Sequence, residues 1–369
     1  MIVLLVALLA VLPGCANAAK APPNFFGVMA DGPLLFNGFN DQSEFDLMSQ
    51  SGVETIRMAM PWSAMEPQPG QYDFADTDAV VAQAATHGFT PLPTVTFAPA
   101  WAARHPGNSN SPPAGTQNYA NFMTTLVQRY GPNGSFWAAH PELPVRPIRE
   151  WQIWNEPNQP VFNWSDQPFA HDYVALLRAA RTAVKAADPG AKIVLAGLVG
   201  TSWNALGHVY KAGGKNLFDV VAIHPFTLQP KNVLLILHKV RAMMARYHDS
   251  RKPMYLSELT WPAAKGFPLT RTYGYEVNDA QQATKLGQII PMLVTQRRAL
   301  RLQRIYWYTW ISSAPDVKND PFSYSGLRQL DNNGTTVQSR PSLAMYARMA
   351  HRYESVSYTH LTLPTTERV

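Results

Sequence analysis

The chain has 369 residues, 46% of them hydrophobic and 15% charged, a composition that builds a large core and excludes a disordered protein. Its net charge of +6 is spread along the sequence. The densest basic cluster, Arg297, Arg298, Arg301 and Arg304, falls around a predicted helix end with no readable motif beside it, so nucleic acid is excluded as a partner. The only cysteine is Cys15, so the rest of the chain has no disulfide, no thiol nucleophile and no cysteine metal site.

The sequence opens with an apolar run from Ile2 to Leu12, too short to span a bilayer, followed by Ala16-Asn17-Ala18, an A-x-A cleavage pattern. This predicts a signal peptide over 1–18 and a mature chain starting at Ala19. Leu12-Pro13-Gly14-Cys15 also resembles a lipoprotein box, which would end the signal at 14 and lipidate Cys15. The competing reading is a buried N-terminal strand or helix. Either export route predicts a secreted or envelope-associated protein with no transmembrane helix in its mature part.

From residue 24 onward, short apolar runs alternate with amphipathic stretches, the pattern of repeated βαβ units. Eight strands are predicted: Phe25–Ala30, Val53–Met58, Pro91–Phe97, Glu150–Asn155, Lys192–Gly197, Phe218–His224, Met254–Glu258 and Ile305–Thr309. Most are near-continuously apolar, as strands covered on both faces must be. Helices are predicted at Ser43–Gln50 and Thr77–His87, closed by Gly52 and Gly88, then at Asp172–Ala187, Lys231–Tyr247, Asp279–Leu300 and Ser339–Tyr353. Eight strand–helix units predict one α/β domain, a (β/α)8 TIM barrel over 24–353. Two insertions, Ala98–Pro113 and Gly131–Pro147, should lie at the active rim and on the opposite face respectively. The last residues, 356–369, contain VSYTHLTLPTT, which resembles a translated sequencing adapter and is read as a non-native tail.

In such barrels the chemistry sits at the carboxyl ends of the strands. Those ends offer Asp31, Arg57 with Trp62 and Glu66, Trp101, Asn155 with Glu156, His224, Glu258, and the YWYTW run that contains Trp307 and Tyr308. Two are glutamates on opposed strands, the fourth and the seventh. Glycoside hydrolysis needs such a pair, one carboxylic acid to protonate the departing oxygen and one carboxylate to attack or to activate water. The acid needs a raised pKa and the nucleophile a depressed one. Arg57 needs a carboxylate partner if it is buried, either Glu258 or Asp31. Glu66, in Met65-Glu66-Pro67-Gln68-Pro69-Gly70, is read as holding its loop. The loop tryptophans Trp101, Trp164, Trp261 and Trp307 are candidates to stack on sugar rings, whose C–H faces suit indole, whereas Trp154 reads as core. Ten histidines show neither HxH nor HExxH spacing, so no metal and no cofactor is expected.

VETIRMAMPWSAMEPQPGQYDF, WQIWNEPN, FDVVAIHPF, YLSELTWP and YWYTW together resemble the barrel glycosidases of clan A, most of all glycoside hydrolase family 39, over Phe25 to about Tyr353. The resemblance implies that Glu156 is the acid/base and Glu258 the nucleophile of a retaining double displacement. It also implies that Asn155 binds the sugar 2-hydroxyl, that Arg57 and His224 lie beside the nucleophile, and that Trp307 is the platform under the reacting sugar. One position departs from the pattern: many relatives carry a tyrosine shortly after the histidine, bonded to the nucleophile, where this chain has Phe226. Tyr306 or Tyr308 would have to take its place. The function implied is cleavage of an extracellular or envelope oligo- or polysaccharide. A transglycosylase or accessory factor of polysaccharide synthesis would use the same residues, and a non-catalytic carbohydrate-binding barrel would not need both glutamates.

Overall fold

The structure is a computed structural model that describes residues 20–355 apart from 37, 40, 161–163, 165–168 and 314–319. The predicted leader with Cys15 and the predicted tail lie outside the described residues.

Nine parallel strands form one sheet: β1 (Phe26–Ala30), β2 (Thr55–Pro61), β3 (Thr90–Thr96), β4 (Glu150–Ile153), β5 (Lys192–Val194), β6 (Leu198–Val199), β7 (Val221–His224), β8 (Met254–Leu259) and β9 (Leu302–Trp307). Each pairs with the next in sequence except β5 and β6, and β1 pairs with β9, so β4 and β7 flank the two halves of a single broken strand. The ring is completed there by a parallel bridge between Val194 and Val220 and by Leu195 N–H donating to the Val220 carbonyl at 2.9 Å. β5 and β6 are thus the fifth barrel strand, and β7, β8 and β9 the sixth, seventh and eighth.

The sequence reading gave this fifth strand as one run, Lys192–Gly197. It breaks because Gly197 sits against His224: a Cβ on Gly197 would lie 1.9 Å from the His224 Nε2. Every residue of β1, β2 and β8 is buried, as a sheet covered on both faces requires. A separate apolar cluster of Leu92, Val194, Val220, Ala222, Tyr255 and Tyr306, drawn from the early part of the strands, packs the bottom of the barrel. Open space is therefore confined to the carboxyl end.

Helices Thr116–Tyr130 and Ser202–Lys211 follow the third and fifth barrel strands, where the sequence predicts no helix span. Five others run close to their predicted spans: Gln42–Gln50, Ala75–Thr86, Phe169–Ala187, Pro230–Arg246 and Asp279–Leu300. Gly52 and Gly88, both at φ 77°, follow the ends of the first two, the left-handed conformation that glycine adopts without a Cβ clash. Asn278 caps the Asp279–Leu300 helix by accepting from the Gln281 N–H, and the Gln281 side chain returns the bond. The last helix starts at Pro341 rather than Ser339, because 337–339 form a strand.

That strand belongs to a second sheet absent from the sequence reading. β10 (Ile311–Ser312) pairs in parallel with β11 (Arg328–Leu330), which pairs antiparallel with β12 (Val337–Ser339). It braces the segment after β9 against the first long helix: Trp310 Nε1 donates to Glu44 Oε2 at 2.8 Å and Arg328 Nη1 to Glu44 Oε1 at 2.6 Å. Among the described residues no helix is long and apolar enough to cross a membrane.

Candidate active site

A cavity of about 770 Å³ opens at the carboxyl end of the barrel, lined by Asp31, Arg57, Asn155, Glu156, Glu258 and Tyr308 among others. Arg57, in the middle of β2, is fully buried and every donor group on it is used. Nη1 donates to Glu258 Oε1 at 2.7 Å, Nη2 to Asn155 Oδ1 at 2.7 Å, and Nε to Gln152 Oε1 at 2.6 Å. Of the two partners left open by the sequence, Glu258 is the one that pairs. With Oδ1 committed to Arg57, Asn155 keeps Nδ2 as its donor to a bound hydroxyl.

The turn after β4 aims Glu156. Trp154 and Glu156 both adopt left-handed backbone, φ 68° and 43°, which for a bulky residue costs on the order of 1–3 kcal/mol. The cost is held by packing: Trp154 is wholly buried, stands edge-on to Trp164 and Tyr119, and donates its backbone N–H to Val95 O at 3.0 Å.

His224 joins the two glutamates. Its Nδ1 lies 2.5 Å from Glu156 Oε1, and its Nε2 lies 3.7 Å from Glu258 Oε1. Burial, with Arg57 nearby, pushes the imidazole down to about 3 despite the opposing pull of Glu258, so it is neutral. Burial pushes Glu156 up to about 7, only partly offset by Arg57. The neutral ring and Glu156 share one hydrogen bond, whose direction is set by the tautomer of the ring.

Glu258 departs from the depressed value that the sequence reading expects. Burial raises it above the ordinary carboxylate range, with His224 and Arg57 pulling down and Glu156 adding to the rise. Which of the two carboxyls carries the charge depends on which one faces the guanidinium. Arg57 is permanently charged and touches one carboxylate only, so the anion of the pair sits on Glu258. The single proton sits on Glu156.

One atom each of Glu156, His224 and Glu258 lie within 4.8 Å of one another. This arrangement of two carboxylates and an imidazole also suits a divalent cation. Sequence spacing could not show it, since the three residues come from β8, β7 and the turn after β4.

The other sequence candidates divide sharply. Tyr308 lines the cavity, but its hydroxyl bonds Asp31, which also accepts from Thr309 Oγ1 at 2.5 Å. Tyr306 bonds Thr55 at 3.0 Å low in the barrel, so neither tyrosine hydrogen-bonds Glu258 in place of the residue missing at Phe226. Glu66 holds its loop, accepting from Trp62 Nε1 at 2.7 Å and from Gly70 N at 2.9 Å. None of the four stacking candidates lines the cavity. Trp101 stands edge-on to Trp62 and donates to Glu66 O at 3.1 Å, and Trp164 is packed between Trp154 and Tyr173. Trp261 donates to Thr227 O at 2.6 Å, while Trp307 tilts against Trp261 and donates to Ser325 O at 3.0 Å. They are core residues of the rim. The aromatic lining is instead Phe97, Phe226, Tyr273, Tyr275, Tyr308 and Phe322, of which sequence reasoning had only Tyr308 as a binding residue.

Comparison with known proteins agrees with this architecture. A family model described as Glyco_hydro_42, Beta-galactosidase, matches residues 40–122. No curated protein sequence matches the chain. Among solved structures, a family 39 glycoside hydrolase from Bacteroides cellulosilyticus WH2 superposes with a TM-score of 0.64 at 19% identity, over 90% of this chain and 64% of that one. A monomeric beta-xylosidase from Caulobacter crescentus CB15 gives 0.60 at 18%, over 90% and 69%. The exo-beta-1,4-mannosidase Op5Man5 from Opitutaceae bacterium strain TAV5 gives 0.60 at 16%, over 91% and 61%. The chain thus spans about two thirds of the length of these structures. The fold is a TIM barrel, shared with these structures.

Proposed function

We propose that the chain is a retaining glycoside hydrolase. The observation that carries this reading is the pair of glutamates from opposite sides of the barrel, with the guanidinium on Glu258 and the retained proton on Glu156. Carboxyl oxygens within 4.8 Å of each other fit the short spacing of about 5–5.5 Å used for direct attack, rather than the 6.5–9.5 Å that leaves room for an intervening water.

In the first step a Glu258 oxygen attacks the anomeric carbon. The bond to the leaving oxygen breaks, its electron pair stays on that oxygen, and the Glu156 proton goes to it. Glu156, now a carboxylate, takes a proton from water as the water attacks the same carbon and releases Glu258. His224 stays neutral throughout and holds Glu156 by one bond, Nδ1–H donating to Oε1, which leaves Oε2 to carry and return the proton. The beta-xylosidase and exo-beta-1,4-mannosidase among the structural neighbours support a β-glycoside as substrate. The apolar run and cleavage pattern at the start of the sequence support an extracellular or envelope polysaccharide as its source; mass spectrometry of the host-made protein should find a chain starting at Ala19 or a lipidated Cys15.

Replacing Glu156 tests the reading. Glu156→Gln should slow poor leaving groups by about 10²–10⁴ and activated aryl glycosides far less, since the latter leave without a proton. Azide should restore turnover by attacking in place of activated water. The basic limb of the pH profile, set near 7 by Glu156, should vanish in the variant. Equal losses on all substrates with no azide effect contradict the assignment. Turnover of the intact enzyme should survive exhaustive chelation; its loss would transfer the same three residues to a metal-dependent mechanism.

A further inference from the structure

The cavity has two unlike halves. Its floor is polar, made by Arg57, Asn155 and Asp31, and this half suits the hydroxyl-rich reacting sugar. Its wall is aromatic. Phe226 and Tyr275 stack at 6.1 Å with their planes 13° apart, and Tyr275 and Tyr273 continue the stack at 5.6 Å and 17°. Phe322 meets Phe226, Tyr273 and Tyr308 edge-on at 5.1, 5.4 and 5.6 Å.

Three separate connections build this wall: the one after β7 supplies Phe226, the one after β8 the two tyrosines, and the one after β9 Phe322. The last two are tied by an ion pair between Arg271 and Asp320, and Arg271 also lies over the Tyr273 ring at 5.2 Å. Aromatic rings that serve only as packing are covered, yet Tyr273 is 40% exposed and faces the cavity. Phe226 stands 5.8 Å from the His224 ring, whose Nδ1 meets Glu156 Oε1 at 2.5 Å, and the Glu156 carboxylate also helps to raise both tyrosine hydroxyls. The wall therefore belongs to the acid/base side of the cavity, the side on which the departing oxygen must lie.

We infer that Tyr273 and Tyr275, backed by Phe226 and Phe322, form the platform for the leaving-group sugar, and that this sugar is an uncharged pyranose presenting its C–H face. This rests on the hydrolase reading, because it is the acid/base that defines the leaving-group side. The charge follows from pairing. The two guanidiniums that line the cavity are committed, Arg57 to Glu258 and Arg271 to Asp320, so among the described residues neither is left to hold a sugar carboxylate.

The test is saturation-transfer NMR on full-length Glu156→Gln protein, which turns over unactivated disaccharides too slowly to consume the probes and keeps the Arg57–Glu258 pair intact. The probes are cellobiose, xylobiose, mannobiose and a disaccharide ending in glucuronate. At least one neutral disaccharide should receive saturation on its reducing-end ring. Adding Tyr273→Ala and Tyr275→Ala should remove that transfer and weaken binding roughly tenfold per ring, while Tyr273→Phe keeps it. Tyr273→Ala alone, at a half-exposed position, provides the readout if the double variant does not fold. The inference is overturned by transfer confined to the non-reducing ring, by transfer unchanged in the alanine variants, by no transfer to any probe, or by stronger transfer to the glucuronate ring. Binding that behaves as expected while wild-type protein forms no products would fault the hydrolase reading and leave the platform standing.

Discussion

The barrel encloses two buried Arg–Glu pairs, one at each end, and they have opposite characters. At the bottom Arg304 Nη1 lies 2.8 Å from Glu150 Oε2, and the carboxylate also accepts from Tyr255 at 2.9 Å and from Lys192 at 3.1 Å. Arg304 in turn lies over the Tyr255 ring at 5.0 Å and donates to Tyr306 at 3.4 Å. Both groups are saturated, and apolar residues close the space around them. At the mouth, Glu258 has one charged donor on one oxygen, a histidine nitrogen at 3.7 Å, and a second carboxyl that competes with it for protons. The same residue types thus make a structural clamp where every lone pair is satisfied, and a reactive site where one is left facing open space.

That contrast breaks cleanly under mutation. Glu258→Gln should lower kcat on every substrate by about 10⁴-fold or more, because the nucleophile itself is lost. It should also cost stability, since it strips the charge partner from Arg57, which is fully buried. Glu150→Gln should cost stability too, up to about 3 kcal/mol, by stranding Arg304, but leave kcat within about twofold of wild type. Denaturant melts and initial rates on both variants measure the two effects. Equal loss of activity in both would mean that the lower pair reaches the site.

Gly197→Ala probes the support of the upper pair. Its methyl group would displace His224 and with it the Glu156 proton, lowering kcat by about 10²-fold with KM little changed. A smaller effect appears only in the pH dependence of stability. The Glu156 pKa rises from 4.5 to about 7 on folding, so the native state keeps a proton that the unfolded chain has released between those values. The Glu156 contribution to stability is therefore lost as pH climbs through that window, against the opposite contribution of His224, whose pKa drops from 6.5 to about 3 on folding. Glu156→Gln should remove the first contribution and be more stable than wild type above pH 7, by about 3 kcal/mol, with no difference below pH 4.5. Melting temperatures across pH 4–8 read it directly.

The sequence carried the barrel and both glutamates because each lies in a contiguous strand-end segment, where an apolar run meets a polar stop. Arg57 was legible for the same reason, as a charge inside a strand of buried residues. The aromatic wall was not. Tyr273 and Tyr275 sit in an irregular stretch between β8 and the next helix, without periodicity, and Phe322 reaches them from another connection. The tryptophans misled in the opposite way, since indole suits a packed rim as well as a sugar face, and only the edge-on contacts of Trp62, Trp154 and Trp164 tell the two apart. The split of the fifth strand goes with a close approach of Gly197 to His224, residues far apart in sequence. The raised Glu258 depended on burial, which strand-end position alone does not measure.

The central claim is that Glu258 attacks the sugar. A 2-deoxy-2-fluoro glycoside with a good leaving group, made on the sugar that the enzyme turns over best, should inactivate it with release of one leaving group per chain. Peptide mapping of the inactivated protein should find the fluorosugar on Glu258 alone, because Arg57 keeps that carboxylate charged while Glu156 holds the proton. A label on Asp31, Glu66 or Glu156, or turnover that yields an inverted first product with no label at all, would contradict the account.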